Sequence, residues 1–252
     1  MYKTLTDTLF IGKNFISLPK CHSTNDIAVD ILQNNRLFEG TVVIAYEQNE
    51  GKGQRGNIWK SSPNVNLTFS VILMPTFLQI KEQFYLNIVT ALAIIDTLSK
   101  LGDNIFKIKW PNDIYSDEKK LSGVLIENSV KGSVLNTSVI GIGLNINQTA
   151  FNGLPNATSL RNELDKTLDL QEVLNGILRN LEMRYLQLKA GEYEQLKRAY
   201  LEKLYWYQEV HTFKSDKEFK GSITGIDDYG RLLVRIGNET KAFDLKEVVF
   251  LG

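Results

Sequence analysis

Two hydrophobic spacings alternate along the chain and predict an α+β fold, in which a mixed β-sheet packs against helices. Apolar residues three or four positions apart predict helices, and short β-branched or alternating apolar runs predict strands. The predicted helices cover about residues 23–32, 81–101, 168–189 and 192–205. The predicted strands cover about residues 41–46, 67–73, 106–110, 121–127 and 135–146. Hairpin-like strands with separated helices favour an α+β layer over a strict βαβ alternation.

The last 45 or so residues have a different pattern, which predicts a small β-barrel. Short strands are expected at residues 210–213, 222–226, 231–236 and 240–243, with turns at 227–230 and 237–238. The turns are rich in Asp, Gly and Asn, which tolerate turn conformations. We therefore divide the chain into residues 1–206, a larger N-terminal domain, and residues 207–252, a C-terminal domain.

Composition narrows the class of protein. The chain has 29 Lys and Arg and 29 Asp and Glu, so its formal charge is zero, which argues against bulk binding of nucleic acid or anionic lipid. One cysteine (Cys21) and two histidines make a zinc site from these residues alone hard to build. Residues 1–10 lack a signal-peptide core, and the apolar run 88–95 is much shorter than a membrane span of about 18 residues. We expect a cytoplasmic protein that binds neither DNA nor membrane.

Residues 51–59 (G-K-G-Q-R-G-N-I-W) are the most unusual segment. Glycines allow the backbone to approach a ligand and to present N–H groups to an anion. Lys52 and Arg55 add positive charge, and Trp59 offers a flat face for stacking. The alternative is a flexible surface loop between strands. The segment is not a P-loop, because Asn57 and not a lysine follows Gly56.

Three later segments each have a structural and a functional interpretation. In residues 109–113 (K-W-P-N-D), Asn112 and Asp113 form either an Asx turn or a strand end whose carboxylate holds Mg²⁺ or orients a lysine. Residues 120–123 (K-L-S-G) place a lysine at the mouth of a buried strand, either as a solvated end or beside a ligand. In residues 141–147 (G-I-G-L-N-I-N), alternating glycines weaken a strand, which favours a ligand over a bulge.

In this order and spacing, the segments resemble the motifs of the biotin protein ligase family, the biotin–[acetyl-CoA-carboxylase] ligases. Residues 23–25 (S-T-N) are similar to its first biotin-pocket motif, and Gln48 with residues 51–59 is similar to its glycine-arginine loop. Residues 109–113, 120–123 and 141–147 are similar to its K-W-P-N-D, K-L-x-G and G-I-G-I-N-V-N motifs. The resemblance spans about residues 17–147 and implies that residues 1–206 are a catalytic domain that binds biotin and ATP. The barrel-like tail, residues 207–252, fits the family's C-terminal SH3-like domain.

The resemblance implies a two-step reaction. Biotin and MgATP give biotinyl-5′-AMP, and a lysine of a biotin carboxyl carrier protein then takes the biotin. The implied catalytic residues are Lys120, Lys52 and Asp113, with Asp113 a candidate for holding Mg²⁺ or orienting a lysine. The implied biotin contacts are Ser23, Thr24, Asn25, Gln48, Gly51, Lys52, Gly53, Gln54, Lys120, Gly123, Gly141 and Gly143. The implied contacts with ATP and the adenylate are Lys52, Arg55, Trp59, Lys120 and Asn145.

The glycine loop departs from the family pattern in its charge. Lys52 stands where the first Arg is expected, which keeps the charge but loses the planar guanidinium fork. Gln54 and Asn57 replace later arginines and remove two positive charges. We therefore expect Lys52 and Lys120 to carry more of the phosphate binding, and we expect the adenylate to be retained less tightly.

Two other classes of function compete with this one. A lipoate ligase or octanoyltransferase shares the fold, but the glycine-basic loop and K-W-P-N-D are closer to the biotin pattern. A non-catalytic adapter for peptides or RNA is disfavoured by the zero net charge and the lack of a basic-aromatic stripe. About 20 residues precede Ser23, fewer than a helix-turn-helix module needs, so we expect no operator binding. The sequence leaves a homodimer open.

Overall fold

A seven-stranded mixed sheet forms the centre of the larger part of the chain. The computed structural model describes residues 2–5, 7–34, 38–102 and 106–251, without the side chains of Asn34 and Arg55. The strands are β1 (Phe15–Leu18), β2 (Val42–Ala45), β3 (Leu67–Leu73), β4 (Phe106–Lys109), β5 (Asp113–Ser116), β6 (Lys119–Lys131) and β7 (Val134–Leu144). Their order is β1-β2-β3-β7-β6-β5-β4, in which β1 and β2 are parallel and the other neighbours antiparallel.

Helices cover both faces of this sheet. They are α1 (Thr24–Asn34), α2 (Phe84–Leu98), α3 (Leu160–Leu164), α4 (Leu170–Lys189) and α5 (Tyr193–Glu202). Side chains alternate across a strand. Accordingly, Val42 and Ile44 of β2 join the large apolar core that contains α2, α4 and α5, while Val43 joins a smaller cluster with Ala28 of α1.

The predicted α+β architecture is confirmed, with differences at the element boundaries. A 3₁₀ turn at Ile80–Glu82 precedes α2, so the helix begins at Phe84 and is shorter than the predicted 81–101. Three short elements were missed, namely β1, β5 and α3. Each has four or five residues, too few to establish a periodic pattern.

The C-terminal residues form a five-stranded antiparallel sheet, as the SH3-like prediction required. Its strands are β8 (Val210–Lys214), β9 (Glu218–Ile226), β10 (Leu232–Ile236), β11 (Glu239–Phe243) and β12 (Val249–Leu251), in the order β11-β10-β9-β8-β12. The sequence predicted the first four of these strands and missed β12. The main chain on either side of Leu204 joins β4, because Ile108 N–H donates to Lys203 O and Tyr205 N–H donates to Ile108 O, both at 2.8 Å.

The length and apolar character of the helices decide whether one of them could span a lipid bilayer. Within residues 2–5, 7–34, 38–102 and 106–251, no helix is both long and apolar enough to cross a membrane.

Candidate active site

A cavity of about 660 Å³ opens over β5, β6 and β7, between the glycine loop and the C-terminal sheet. Its outer wall includes Leu245, Lys246 and Phe250 from the C-terminal part of the chain. Most of the side chains and glycines singled out from the sequence line this one space: Ser23, Thr24, Asn25, Gln48, Lys52, Gly53, Gln54, Trp59, Asp113, Lys120, Gly123, Gly141 and Gly143. Segments up to 120 positions apart in sequence thus converge on a single site.

The start of α1 forms one end of the cavity, where polar side chains are held by each other. The backbone N–H of Thr24 donates to Gln48 Oε1 at 2.7 Å. The Ser70 hydroxyl lies 2.8 Å from Thr24 Oγ1 and 2.6 Å from Asn25 Oδ1, and Asn25 Nδ2 donates to Glu127 at 2.7 Å. Buried polar groups need such partners. The result is a rigid set of donors and acceptors at the end of the cavity.

Two members of this network, Ser70 and Glu127, were not among the predicted site residues. Ser70 is a polar residue in a mostly apolar strand and is fully buried. A serine in such a strand was a signal that the sequence offered, because a buried hydroxyl requires a partner. The side chain of Ser23 lies at the start of α1, where its Oγ accepts a hydrogen bond from the backbone N–H of Asp26 at 3.5 Å.

The glycines of the floor leave room for the protein's own side chains. A β-carbon on Gly141 would overlap the Asn25 amide, and one on Gly143 would lie 2.6 Å from Nε1 of Trp59. Gly123 pairs with Gly143 across β6 and β7, and a β-carbon on Gly123 would lie 3.3 Å from side-chain atoms of both Lys120 and Trp59. Asn25 and Trp59 cover these glycines, and the packing of a ligand against their backbones stays a prediction.

Residues 51–59 fold back as a short hairpin. Gly53 N–H donates to Asn57 O at 2.7 Å, and Trp59 N–H donates to Gly51 O at 2.8 Å. The predicted anion nest is therefore not formed at Gly53, whose N–H is used inside the loop. Gly51 is required because a β-carbon there would meet the carbonyl of Trp59. The side chain of Arg55 lies outside the described part of the structure.

Lys52 points from the loop to Asp26 in the first turn of α1. Lys52 Nζ lies 2.6 Å from Asp26 Oδ1, and half of the lysine side chain is exposed. The hydrogen bond from Lys52 to Asp26 raises the pKa of Lys52, as do the charges of Glu127 and Glu50. Lys52 is therefore a protonated cation at the cavity wall.

Lys120 and Asp113 form an ion pair at the centre of the cavity. Lys120 Nζ lies 2.7 Å from Asp113 Oδ2 and 5.8 Å from the centre of the Trp59 ring. Burial raises the pKa of Asp113, while Lys120 and Lys109 oppose that shift. Burial also lowers the pKa of Lys109. The site thus holds two cations around one partly buried carboxylate.

Lys109 itself lies among aromatic rings. Its Nζ is 4.5 Å from the centre of Tyr115, 5.2 Å from Phe250 and 5.9 Å from Tyr205. Such cation–π contacts stabilise an ammonium group that has lost part of its hydration. Because Phe250 belongs to β12, this lysine also links the two sheets.

The donor set does not fit a magnesium ion held by the protein. Mg²⁺ requires oxygen ligands, often one or two carboxylates with phosphates and water. Asp113 is already paired with Lys120, and within the described ranges no three His, Cys, Asp or Glu residues cluster as metal ligands. The geometry therefore favours the lysine-orienting alternative for Asp113 over the predicted metal contact.

Asn145 was predicted to contact ATP and the adenylate, but its side chain is not part of the cavity lining. Its Nδ2 donates to Thr158 O at 2.9 Å, and its side chain is buried behind the end of β7. Pairing with an adenine edge needs both the amide nitrogen and the oxygen. This arrangement therefore does not support a contact between Asn145 and the adenine of the adenylate. Asn145 instead ties the end of β7 to the segment before α3.

Comparisons with known proteins agree with this geometry. A family model described as "Biotin/lipoate A/B protein ligase family" matches residues 18–145, and one described as "Biotin protein ligase C terminal domain" matches residues 208–250. The chain is 29% identical over 242 residues to the "Bifunctional ligase/repressor BirA" of Bacillus subtilis, covering 93% of this chain and 73% of that protein. It is 27% identical over 257 residues to the "Biotin--[acetyl-CoA-carboxylase] ligase" of Mycobacterium tuberculosis, covering 99% and 95%.

A solved structure gives the same result for the fold. The biotin protein ligase from Aquifex aeolicus in complex with biotin and ATP superimposes with a TM-score of 0.80 and 28% identity, covering 94% of this chain and 98% of that one. The two family models and the shared fold over nearly the whole length therefore lead to the same assignment. The chain belongs to the biotin/lipoate A/B protein ligase family.

Proposed function

We propose that the chain is a biotin–[acetyl-CoA-carboxylase] ligase, which activates biotin with ATP and transfers it to a lysine of a biotin carboxyl carrier protein. One observation carries the proposal: the separate motifs converge on one cavity, with the Lys120–Asp113 pair at its centre. Family membership and the biotin and ATP named for the Aquifex aeolicus structure support this choice of substrates.

The first step joins two anions, so charge stabilisation has to dominate. A biotin carboxylate oxygen attacks the α-phosphorus of ATP, the bond to the β-phosphate oxygen breaks, and pyrophosphate leaves with that electron pair. Lys120 is the cation best placed to neutralise both groups, since Asp113 fixes its ammonium at 2.7 Å and leaves its other protons available. Magnesium enters this proposal only as an ion carried by the nucleotide phosphates.

The bicyclic head of biotin requires an apolar space that ends in precise donors and acceptors. The network at the start of α1 supplies them from Ser23, Thr24, Asn25 and Gln48. Trp59 is the flat side chain of the loop and stacks on the adenine of the adenylate in this proposal. Because Trp59 now lies on Gly143, substrate binding requires the ring to move off the glycine floor.

The second step is acyl transfer to an amine. The neutral ε-amine of the carrier lysine attacks the carbonyl carbon of the mixed anhydride, the bond to the phosphate oxygen breaks, and AMP leaves with that electron pair. The nitrogen releases one proton to solvent as the amide forms. The wall formed by residues 245–250 adjoins the cavity where the carrier lysine must enter. We assign residues 1–206 to the catalytic domain and 207–252 to a C-terminal domain that completes this wall.

The test is biotin-dependent exchange of labelled pyrophosphate into ATP by the purified chain, with lipoate and octanoate in parallel. Exchange with biotin alone is expected. Exchange with lipoate or octanoate instead would keep the adenylation chemistry and replace the substrate. A folded protein that exchanges with none of the three acids would contradict the proposal.

A further inference from the structure

Asp26 occupies a position that favours a negative charge. It lies in the first turn of α1, where unpaired backbone N–H groups and the helix dipole stabilise an anion. Its carboxylate has one oxygen 2.6 Å from Lys52 Nζ and the other 3.8 Å from His22 Nε2. Three-quarters of the Asp26 side chain is shielded from solvent. The carboxylate is therefore a fixed partner for whatever cation the loop brings to it.

Lys52 is brought to Asp26 by a loop that is held at both ends. Lys52 pairs with Ile58 across the hairpin, and Trp59 rests on Gly143 at the cavity floor. This leaves the Lys52 ammonium at the cavity wall and half-exposed, with Asp26 as a hydrogen-bond partner. An ammonium has three N–H donors, so the group keeps donors for a second anion.

The charge balance at this wall opposes an incoming anion. Asp26 cancels the charge of Lys52, and Glu127 and Glu50 add further negative potential near the ammonium. A phosphate that approaches Lys52 must therefore compete with a carboxylate already bound there. A lysine suits such an exchange, because its compact charge on a flexible chain changes partners without the fixed bidentate geometry of arginine.

We propose that Asp26 is a positioning residue that holds Lys52 at the cavity wall and releases its ammonium to the phosphates of the bound nucleotide. Asp26 therefore lowers nucleotide affinity while it keeps the empty loop docked on α1. This deepens the proposed function and rests on it, since it assumes that a nucleotide phosphate binds beside Lys52.

The test is calorimetric titration of the full chain with MgATP, comparing wild type, Asp26→Asn, Lys52→Ala and the double variant. Asp26→Asn keeps the shape and removes the competing charge, so the ATP dissociation constant should fall about two- to fivefold, the range of a half-exposed ion pair. In the Lys52→Ala background the same substitution should change the constant little, because the residue acts through Lys52. The melting temperature serves as the structural control.

Glu50→Gln is the matched control, since it removes one exposed carboxylate charge near Lys52 from a residue that does not belong to α1. Its effect on ATP affinity should be smaller than that of Asp26→Asn. An equal gain in both Lys52 backgrounds, an unchanged or weaker ATP affinity in Asp26→Asn, or failure of every variant to bind ATP would each overturn the proposal. If the wild type binds ATP but shows no biotin-dependent pyrophosphate exchange, the proposed function is refuted. The effect of Asp26→Asn on ATP affinity is measured independently of that result.

Discussion

The indole ring of Trp59 lies on the backbone of Gly143, so close that a β-carbon at residue 143 would be 2.6 Å from Nε1 of the ring. The indole nitrogen is buried and has no hydrogen-bond partner within the described residues. A buried donor without a partner costs free energy. The docked position of Trp59 is therefore one that a ligand with an acceptor group can displace at low cost.

Gly143→Ala should expel Trp59 from the cavity floor. The added methyl group overlaps the ring, and overpacking of this kind costs about 1–3 kcal/mol. We expect the free energy of unfolding to fall by this amount, measured by urea denaturation. In a Trp59→Ala background the same substitution should have little further effect. An equal loss in both backgrounds would show that the methyl group acts on something other than the ring.

Asp113→Asn should reduce adenylation by about 100-fold, the typical cost of misplacing a reacting group. The amide no longer fixes the Lys120 ammonium by charge. Initial rates of pyrophosphate exchange measure the effect, and Asp117→Asn in the exposed turn after β5 is the control. An activity close to wild type in Asp113→Asn would refute the orienting role.

The same carboxyl should shape the pH dependence of activity. Activity requires the charged form of Asp113, so it is lost as the pH falls through its pKa. Because burial raises that pKa, the acidic limb should lie above that of an ordinary carboxyl, whose pKa is 3.8. A pH–rate profile of pyrophosphate exchange measures the limb. A limb at the ordinary value would contradict the cause assigned here.

The free energy of unfolding should depend on the ionisation of Asp113 in the opposite direction to activity. A carboxyl with a raised pKa holds its proton more strongly in the folded state, so its contribution is present at low pH and is lost as the pH rises above its unfolded value near 4. Asp113→Asn should therefore gain stability relative to wild type as the pH is raised from about 4 toward neutrality. Urea unfolding at several pH values tests this, and a relative loss with rising pH would contradict it.

Gln54→Arg should improve retention of the adenylate. Gln54 lines the cavity and stands where the family loop carries an arginine, so the substitution adds a cation near the phosphates. We expect slower release of biotinyl-5′-AMP and less biotinylation of bystander proteins, measured by mass spectrometry of a mixed-protein reaction. Unchanged release from the variant would show that residue 54 does not contact the adenylate.

Glu182→Gln should destabilise the fold without touching the cavity. The Glu182 carboxylate accepts N–H bonds from Leu9, Phe10 and Ile11 at 2.6, 2.8 and 2.9 Å, and so pins the N-terminal segment to α4. A glutamine offers one acceptor where two are used, and we expect a loss of about 2 kcal/mol. Thermal unfolding should shift by about 5 °C, against little change for the exposed Glu172→Gln.

The long elements of the fold were predictable from sequence because their patterns are local. β3 begins and ends where its apolar run does, and α4 follows its helical spacing to Lys189. β5 was not, since residues 113–116 form a strand only through pairing with β4 and β6 on either side. That pairing favours the strand-end interpretation of this segment over the Asx turn, and it places Asp113 against Lys120.

Within the candidate site, residue types were predictable and partnerships were not. Motif spacing identified Lys52 and Lys120 as cations of the cavity. The partner of Lys52 comes from α1, 26 positions earlier, and only tertiary packing brings the two together. The burial of Asn145 behind Thr158 likewise depends on a chain segment that has no motif of its own.

The most direct test of the central claim is to identify the product bound to the purified chain after one turnover with biotin and MgATP, by mass spectrometry under native conditions. The account predicts biotinyl-5′-AMP bound to wild type in near-stoichiometric amount. It predicts no such product on a folded Lys120→Ala variant. Absence of the adenylate from wild type, or equal amounts on both proteins, would contradict the account.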